Sequence, residues 1–114
     1  MLKLNPNPTF ADDVEITVPG QKEPGTISLT FKYRSRKEFS EFMDWMGEKL
    51  DKDGNVVAPG ASVSAAFPEF VIGWDLPEEY TLENVAIFLN NYPAAYGEIF
   101  AHYCRSLFES RIKN

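Results

Sequence analysis

The residues best suited to acid–base or nucleophilic chemistry are few and lie close together near the end of the chain. His102 stands four residues after Glu98, and Cys104 follows two residues later. A histidine and a carboxylate at this spacing on a helix form an ordinary surface pair, whereas a general base needs a third group to orient it. A single thiol with no paired histidine behaves more readily as a small hydrophobe than as a nucleophile. The sequence therefore predicts no catalytic residues.

Metal and cofactor binding find equally little support. One histidine and one cysteine cannot supply the ligands of a zinc site. The segment 51–55 resembles the start of a calcium-binding loop, but Val56 stands in place of the required glycine and Ser62 in place of the bidentate glutamate. The chain also lacks a glycine-rich phosphate-binding loop. We predict an ordinary acidic turn at 51–55, no metal and no cofactor.

Composition restricts the class of protein. A chain of 114 residues with 44% apolar residues is predicted to form a single domain over 1–114. Its net charge of −6 disfavours binding to nucleic acid or to anionic membranes. A lone cysteine and the lack of an apolar leader indicate a reducing compartment, the cytoplasm. No stretch approaches the roughly 20 apolar residues of a membrane span.

The first elements predicted from the pattern are strands. An extended lead-in over 1–9 contains two Asn-Pro pairs and precedes an antiparallel β-hairpin over 10–33. Apolar and polar residues alternate along both halves of the hairpin, as in half-buried strands. Asp12 is the polar exception on the apolar face of the first strand.

Helices are predicted for most of the remaining chain. Ser35 and Glu38 have the spacing of a capping box, which predicts a helix over 35–50, followed by a flexible loop over 51–61. The part 62–112 is predicted to be helical. The fold class is therefore α+β, with an N-terminal hairpin and about four helices in one small domain.

Three signals subdivide the helical part. Pro68 allows a short helix only before or after it. Thr81 is a suitable N-cap for a helix that ends at about Asn91. Tyr92–Pro93 then predicts the start of a last helix that continues to about Ile112.

Apolar residues outside the predicted core suggest where a partner could bind. Phe108 and Ile112 form an i, i+4 pair directed away from the apolar stripe of the last helix. Two interpretations stay open for this pair: contact with a partner, or a helix that ends early with the tail folded back. Trp45 is either a cover for the edge of the core or a binding hot spot. Ile87 lies on a helix that is apolar nearly all round, which is either buried or covered by a partner.

Charge is also unevenly distributed. Arg34, Arg36 and Lys37 form a basic cluster at the start of the first helix. Asp75, Glu78 and Glu79 form an acidic cluster. The two clusters could bring copies of the chain into head-to-tail contact. The alternatives are that they pair within the monomer or stay solvated.

Five short segments occur in a recognisable order along the chain: Leu2–Pro6, Phe31–Glu38, Ile72–Leu76, Asn91–Ala95 and Arg111–Asn114. Taken together in this order, they resemble tail assembly chaperones of long-tailed bacteriophages. The stretch 51–67 departs from this resemblance.

This resemblance implies a non-catalytic protein of the host bacterial cytoplasm. Such chaperones bind the hydrophobic tape measure protein, help tail tube subunits assemble around it, and form homo-oligomers. The family has no catalytic residues to carry over. Other functions stay open: a structural tail completion or neck protein, a generic small protein-binding module, or a small enzyme that uses carboxylates or His102.

Overall fold

The computed structural model describes residues 2–109 and places nine regular elements within them. In chain order these are β1 (Thr9–Ile16), β2 (Gly25–Lys32), α1 (Arg36–Met46), β3 (Lys49–Leu50), β4 (Val56–Ala58), α2 (Val63–Phe70), β5 (Val71–Trp74), α3 (Leu82–Asn91) and α4 (Ala95–Phe108). An N-terminal antiparallel sheet and four helices make the predicted α+β fold class correct.

The predicted hairpin forms two strands of a three-stranded antiparallel sheet. β1 and β2 pair along their whole lengths, with Phe10 opposite Phe31 and Val14 opposite Ile27. The alternation in β2 buries Ile27, Leu29 and Phe31 on one face. This face packs in one core with residues of all four helices.

The third strand, β5, lies within the part 62–112 that we predicted to be helical. It pairs antiparallel with β2, so the strand order is β1–β2–β5. Val71 is fully buried, and Gly73 lies opposite Thr30. Only four residues long, β5 is too short for a period-2 pattern to separate it from the helix that precedes it.

The predicted start of the first helix is correct, but the prediction of 35–50 is too long because α1 ends at Met46. The Ser35 hydroxyl accepts the backbone N–H of Glu38, and the Glu38 carboxylate accepts that of Ser35, so the capping box is confirmed. The helix ends at Met46 because Gly47 turns to an extended conformation. Gly60 then approaches closely, and a Cβ there would lie 2.6 Å from the Met46 carbonyl oxygen.

The segment 51–61, predicted as a flexible loop, contains a strand of a short hairpin. β3 and β4 pair as a second, two-stranded antiparallel sheet. The turn between them is held by Asp51, whose carboxylate accepts the backbone N–H groups of Asp53 and Asn55, both at 2.9 Å. Gly54 supplies the positive φ of +86° that this turn requires.

Pro68 lies inside α2, which corrects the expectation that a helix stops on one side of it. A proline cannot donate to the carbonyl four residues earlier, here that of Ser64. Ser64 is exposed, so water can satisfy its carbonyl.

The predicted bounds of the last two helices agree with the structure to different degrees. Thr81 caps α3 as predicted, whereas α4 begins at Ala95 and ends at Phe108. Ile112 lies outside the described residues.

Candidate functional site

His102 does not form the predicted pair with Glu98. Its Nε2 lies 2.9 Å from Oδ2 of Asp12 on β1, and its ring stacks on Phe31 with centroids 5.9 Å apart. Glu98 instead accepts hydrogen bonds from the backbone N–H and the hydroxyl of Thr17. Both side chains turn to the sheet because α4 packs along β1. Asp12, the polar exception in β1, thus attaches α4 to the sheet through His102.

Two further side chains that could take part in chemistry, those of Cys104 and Asp51, have surroundings that favour a structural role. Burial raises the pKa of the Cys104 thiol, which keeps it protonated and disfavours a nucleophilic role. The backbone N–H of Asn55 lowers the pKa of Asp51, whose oxygens already stabilise a turn. Among residues 2–109, no group of three or more His, Cys, Asp or Glu side chains could hold a metal ion. No helix in that same part of the chain is long and apolar enough to cross a membrane.

Arg34 lies in the interior, contrary to its predicted place in a surface cluster. Only 8% of the residue is exposed. Its guanidinium donates to the carbonyl of Glu69 and, at 3.2 Å, to the hydroxyl of Tyr103. It also lies 4.0 Å from the centroid of the Phe42 ring and 3.5 Å from the Glu69 carboxylate. Arg34, in the connection between β2 and α1, therefore joins α1, α2 and α4, and these contacts leave little of it for another copy.

The other charged residues of the two clusters differ in their contacts. Asp75 accepts the backbone N–H of Ser28 at 3.0 Å, so part of its carboxylate is already used. Arg36, Lys37, Glu78 and Glu79 are exposed. Within residues 2–109, these four form no salt bridge. They remain available for contact with another molecule.

Trp45 is half exposed, at 49%, and stacks on Phe42 with ring centroids 6.2 Å apart. It borders a cleft of about 360 Å³ whose lining includes the charged residues Glu38, Glu41 and Glu69. The tryptophan thus covers the core residue Phe42 while leaving one face to solvent. Both earlier interpretations of Trp45 are compatible with this position.

Phe108 is the last residue of α4 and 47% exposed. Its ring meets the edge of Phe39 at a centroid distance of 5.2 Å, and the guanidinium of Arg36 lies 5.8 Å above it. A partner could therefore reach only part of this ring. The predicted pair with Ile112 falls outside the described residues.

Ile87, the last of the four predicted contact residues, lies on an apolar concavity that we call the α3 groove. Its volume is about 440 Å³, and it is open to solvent. α3 forms one wall, β5 and the segment after it form another, and the turn end of the hairpin, where β1 ends and β2 begins, forms the floor. Its main apolar residues are Ile16, Ile27, Trp74, Ile87, Phe88 and Tyr92.

Aromatic contacts build the walls of the α3 groove. Phe88 meets the edge of Trp74 at 5.6 Å and lies 5.2 Å from Tyr92. The indole N–H of Trp74 donates to the carbonyl of Glu78 at 2.8 Å, which folds the segment after β5 back on itself. Asn84, Asn91 and Glu78 add polar groups at the groove. An apolar surface with a few polar groups is the usual composition of a binding site.

Tyr80 holds the segment after β5 against that strand, and its ionisation should make the stability of the protein depend on pH. Its hydroxyl donates to the carbonyl of Val71, and its ring meets Trp74. Burial raises the pKa of Tyr80 to about 12. Because a tyrosine in the unfolded chain ionises near pH ~10, the contribution of Tyr80 to stability is intact below that pH and is lost as the pH rises towards ~12.

We therefore expect the melting temperature of the wild type to fall more steeply than that of Tyr80→Phe over this alkaline range. Thermal unfolding followed by circular dichroism at several pH values measures the two slopes. Equal slopes would show that Tyr80 ionises as readily in the folded protein as in the unfolded chain.

Sequence reasoning singled out Ile87 but missed the other walls of the groove. The alternation along the hairpin assigns Ile16 and Ile27 to its buried face, and the apolar patterns around Trp74 and Tyr92 assign these two residues to the core. These assignments are partly correct, since the groove is a place where the core reaches the surface. The groove arises only when three distant segments meet, and no local pattern encodes that meeting.

These features define a small α+β protein with an open apolar groove between a helix and the turn end of a hairpin. The sequence model of the family described as phage tail assembly chaperone matches residues 1–114, the whole chain. The chain belongs to the phage tail assembly chaperone family, which confirms the resemblance. No curated protein and no solved structure matches it.

Proposed function

We propose that this chain binds the hydrophobic tape measure protein in the host bacterial cytoplasm and assists assembly of the tail tube around it. Its partners are then the tape measure protein, the tail tube protein and further copies of itself. The role involves neither catalysis nor a cofactor. Membership of the chaperone family supports an interaction with phage tail proteins.

The observation that carries this proposal is the α3 groove. Ile87 is 57% exposed within it, although it is flanked by the buried residues Val85 and Phe88. A large aliphatic side chain left half in water beside an apolar concavity indicates a contact that a partner completes. An amphipathic helix presents apolar side chains at i, i+3 and i+4, which fit a groove of this kind. Trp45 and Phe108 offer further, smaller contacts elsewhere on the surface.

Introducing a charge into the groove tests this proposal. In Ile87→Asp, a carboxylate would have to be buried against the bound helix, which weakens binding by about 30-fold or more. We expect co-expression with the tape measure protein to leave most of that protein insoluble, whereas the wild-type chain keeps it in solution. The soluble fraction, separated by centrifugation and measured on gels, gives the result.

Leu50→Asp is the matched control because Leu50 is also 57% exposed but lies on β3, away from the groove. Both variants should melt near the wild-type temperature since neither side chain is buried. If Ile87→Asp keeps the tape measure protein as soluble as Leu50→Asp does, the groove is not the binding site. If the wild-type chain itself has no effect, the proposed function is wrong.

Mass spectrometry of purified virions distinguishes a chaperone from a structural tail protein. A chaperone should be absent from the virions, whereas a structural tail protein should be present.

A further inference from the structure

The segment before β1 carries the most exposed leucines among residues 2–109. We call Leu2–Pro8 the N-terminal arm. Leu2 is 98% exposed and Leu4 is 96% exposed, so neither packs on the domain. The base of the arm is fixed, because the carbonyl of Pro8 accepts the backbone N–H of Tyr33 at 2.9 Å. Two leucines held in water on a short anchored arm form an apolar surface that no other residue among 2–109 covers.

The same chain carries an apolar surface of the opposite shape. The α3 groove is concave, open and bordered by the half-exposed Ile87. Lys3 lies between the two leucines of the arm, while Glu78 lies at the groove. The Lys3 ammonium donates to the side chain of Asn7 at 2.8 Å, a surface contact that is easily exchanged. Arm and groove are thus complementary in shape, apolar character and charge.

From these two surfaces we infer that the N-terminal arm of one copy docks in the α3 groove of a second copy. Leu2 and Leu4 fill the groove beside Ile87 and Trp74, and Lys3 pairs with Glu78. This inference deepens the self-association that forms part of the proposed function, and it gives that association an apolar contact in addition to the charge clusters.

Docking within one copy is opposed by the geometry of β1. The arm leaves the sheet at Thr9, whereas the floor of the groove includes Ile16 at the other end of the strand. Seven residue steps separate these ends by about 23 Å. Leu4 is five residues before Thr9 and reaches at most about 17 Å from it, even when the chain is fully extended. Leu4 of the same copy therefore cannot reach the Ile16 end of the groove. Leu2, seven residues before Thr9, reaches about that distance only in a fully extended arm, so the two leucines cannot fill the groove of their own copy together.

A groove that holds an arm cannot at the same time hold a helix of the tape measure protein. Self-association through the arm therefore protects the apolar surface until the client displaces it. The two occupants exclude each other at this surface, so the free chaperone and the client-bound chaperone differ in their arm contacts.

Two variants, each lacking one half of the contact, test the inference with the full chain and no other protein. Leu2→Ser/Leu4→Ser removes the apolar residues of the arm, and Ile87→Asp blocks the groove. Each leucine buried in a contact contributes on the order of tenfold to the association constant. Sedimentation velocity over a range of concentrations should show the wild type self-associating and each variant shifted to monomer by on the order of 100-fold in dissociation constant.

Mixing the two monomeric variants is the decisive step. The groove of the arm variant and the arm of the groove variant are both intact, so a 1:1 mixture should regain association through one contact per pair. Leu50→Ser/Val57→Ser, which removes two exposed apolar side chains from the small sheet, should associate like the wild type.

A mixture that stays monomeric would overturn the inference, as would a wild type that is monomeric at every concentration or an arm variant that associates normally. Circular dichroism melts identify any variant that has lost its fold. No tape measure protein is present, so failure of this experiment leaves client binding untouched, whereas failure of the co-expression experiment leaves arm docking untouched.

Discussion

Replacing Phe70 with alanine should lower the free energy of unfolding by about 3–5 kcal/mol, the usual cost of deleting a buried phenylalanine ring. Phe70 is completely buried at the end of α2. Its ring centroid lies between 5.3 and 6.1 Å from those of five other aromatic rings. These rings belong to Phe42, Phe67, Tyr96, Phe100 and Tyr103.

The loss of stability in Phe70→Ala is large because the residues around the deleted ring can move little to fill the cavity. The rings around Phe70 come from α1, α2 and α4, so no single movement fills the cavity that alanine leaves. A domain of this size has a total stability of about 5–15 kcal/mol, and Phe70→Ala therefore removes a large share of it. Urea unfolding followed by tryptophan fluorescence measures the loss.

Phe108→Ala is the control for the loss of a ring from a different environment. Phe108 is half exposed and meets one aromatic ring, so its removal should cost about 1 kcal/mol. Phe70→Leu should lie between the two alanine variants because it refills part of the cavity. Equal losses for Phe70→Ala and Phe108→Ala would contradict the central position of Phe70 in the core.

The elements with local signals were predictable from the sequence. The period-2 alternation around Val14 and Ile27 predicted the hairpin, since a half-buried sheet separates its two faces in that way. Ser35 and Thr81 marked helix starts because their hydroxyls satisfy backbone N–H groups that a helix leaves without partners.

The elements that depend on distant partners were not predictable in this way. β5 has four residues and exists because β2 presents a free edge to it. The interior position of Arg34 depends on Glu69 and Tyr103, which are 35 and 69 residues away. From sequence, an arginine between Tyr33 and Ser35, close to three other cations, was expected at the surface. A charged residue usually lies at the surface. Arg34 can be buried because the Glu69 carbonyl and the Tyr103 hydroxyl accept its hydrogen bonds.

Replacing Arg34 with alanine should lower the free energy of unfolding by about 2–4 kcal/mol. The carbonyl of Glu69 loses its side-chain donor, and the guanidinium no longer packs on Phe42. The Glu69 carboxylate contributes little to this loss because it is half exposed and can hydrate. The hydroxyl of Tyr103 keeps its hydrogen bond to the carbonyl of Lys32, at 2.8 Å, which limits the cost further.

Two other substitutions separate the contributions of Arg34. Arg34→Met restores apolar volume against Phe42 without the hydrogen bonds, so it should recover part of the stability. Arg36→Ala, two residues on, removes an exposed guanidinium and should change stability by less than about 0.5 kcal/mol. Urea unfolding of the three variants ranks them.

The ranking also decides which surface remains for self-association. If Arg34→Ala is strongly destabilising while Arg36→Ala is neutral, Arg34 serves the fold, and only Arg36 and Lys37 of the predicted basic cluster can meet the acidic residues of another copy. An Arg34→Ala variant as stable as Arg36→Ala would mean that the guanidinium is not held by Glu69 and Tyr103 in solution. Arg34 would then rejoin the surface cluster, and the charge contact between copies would regain a third cation.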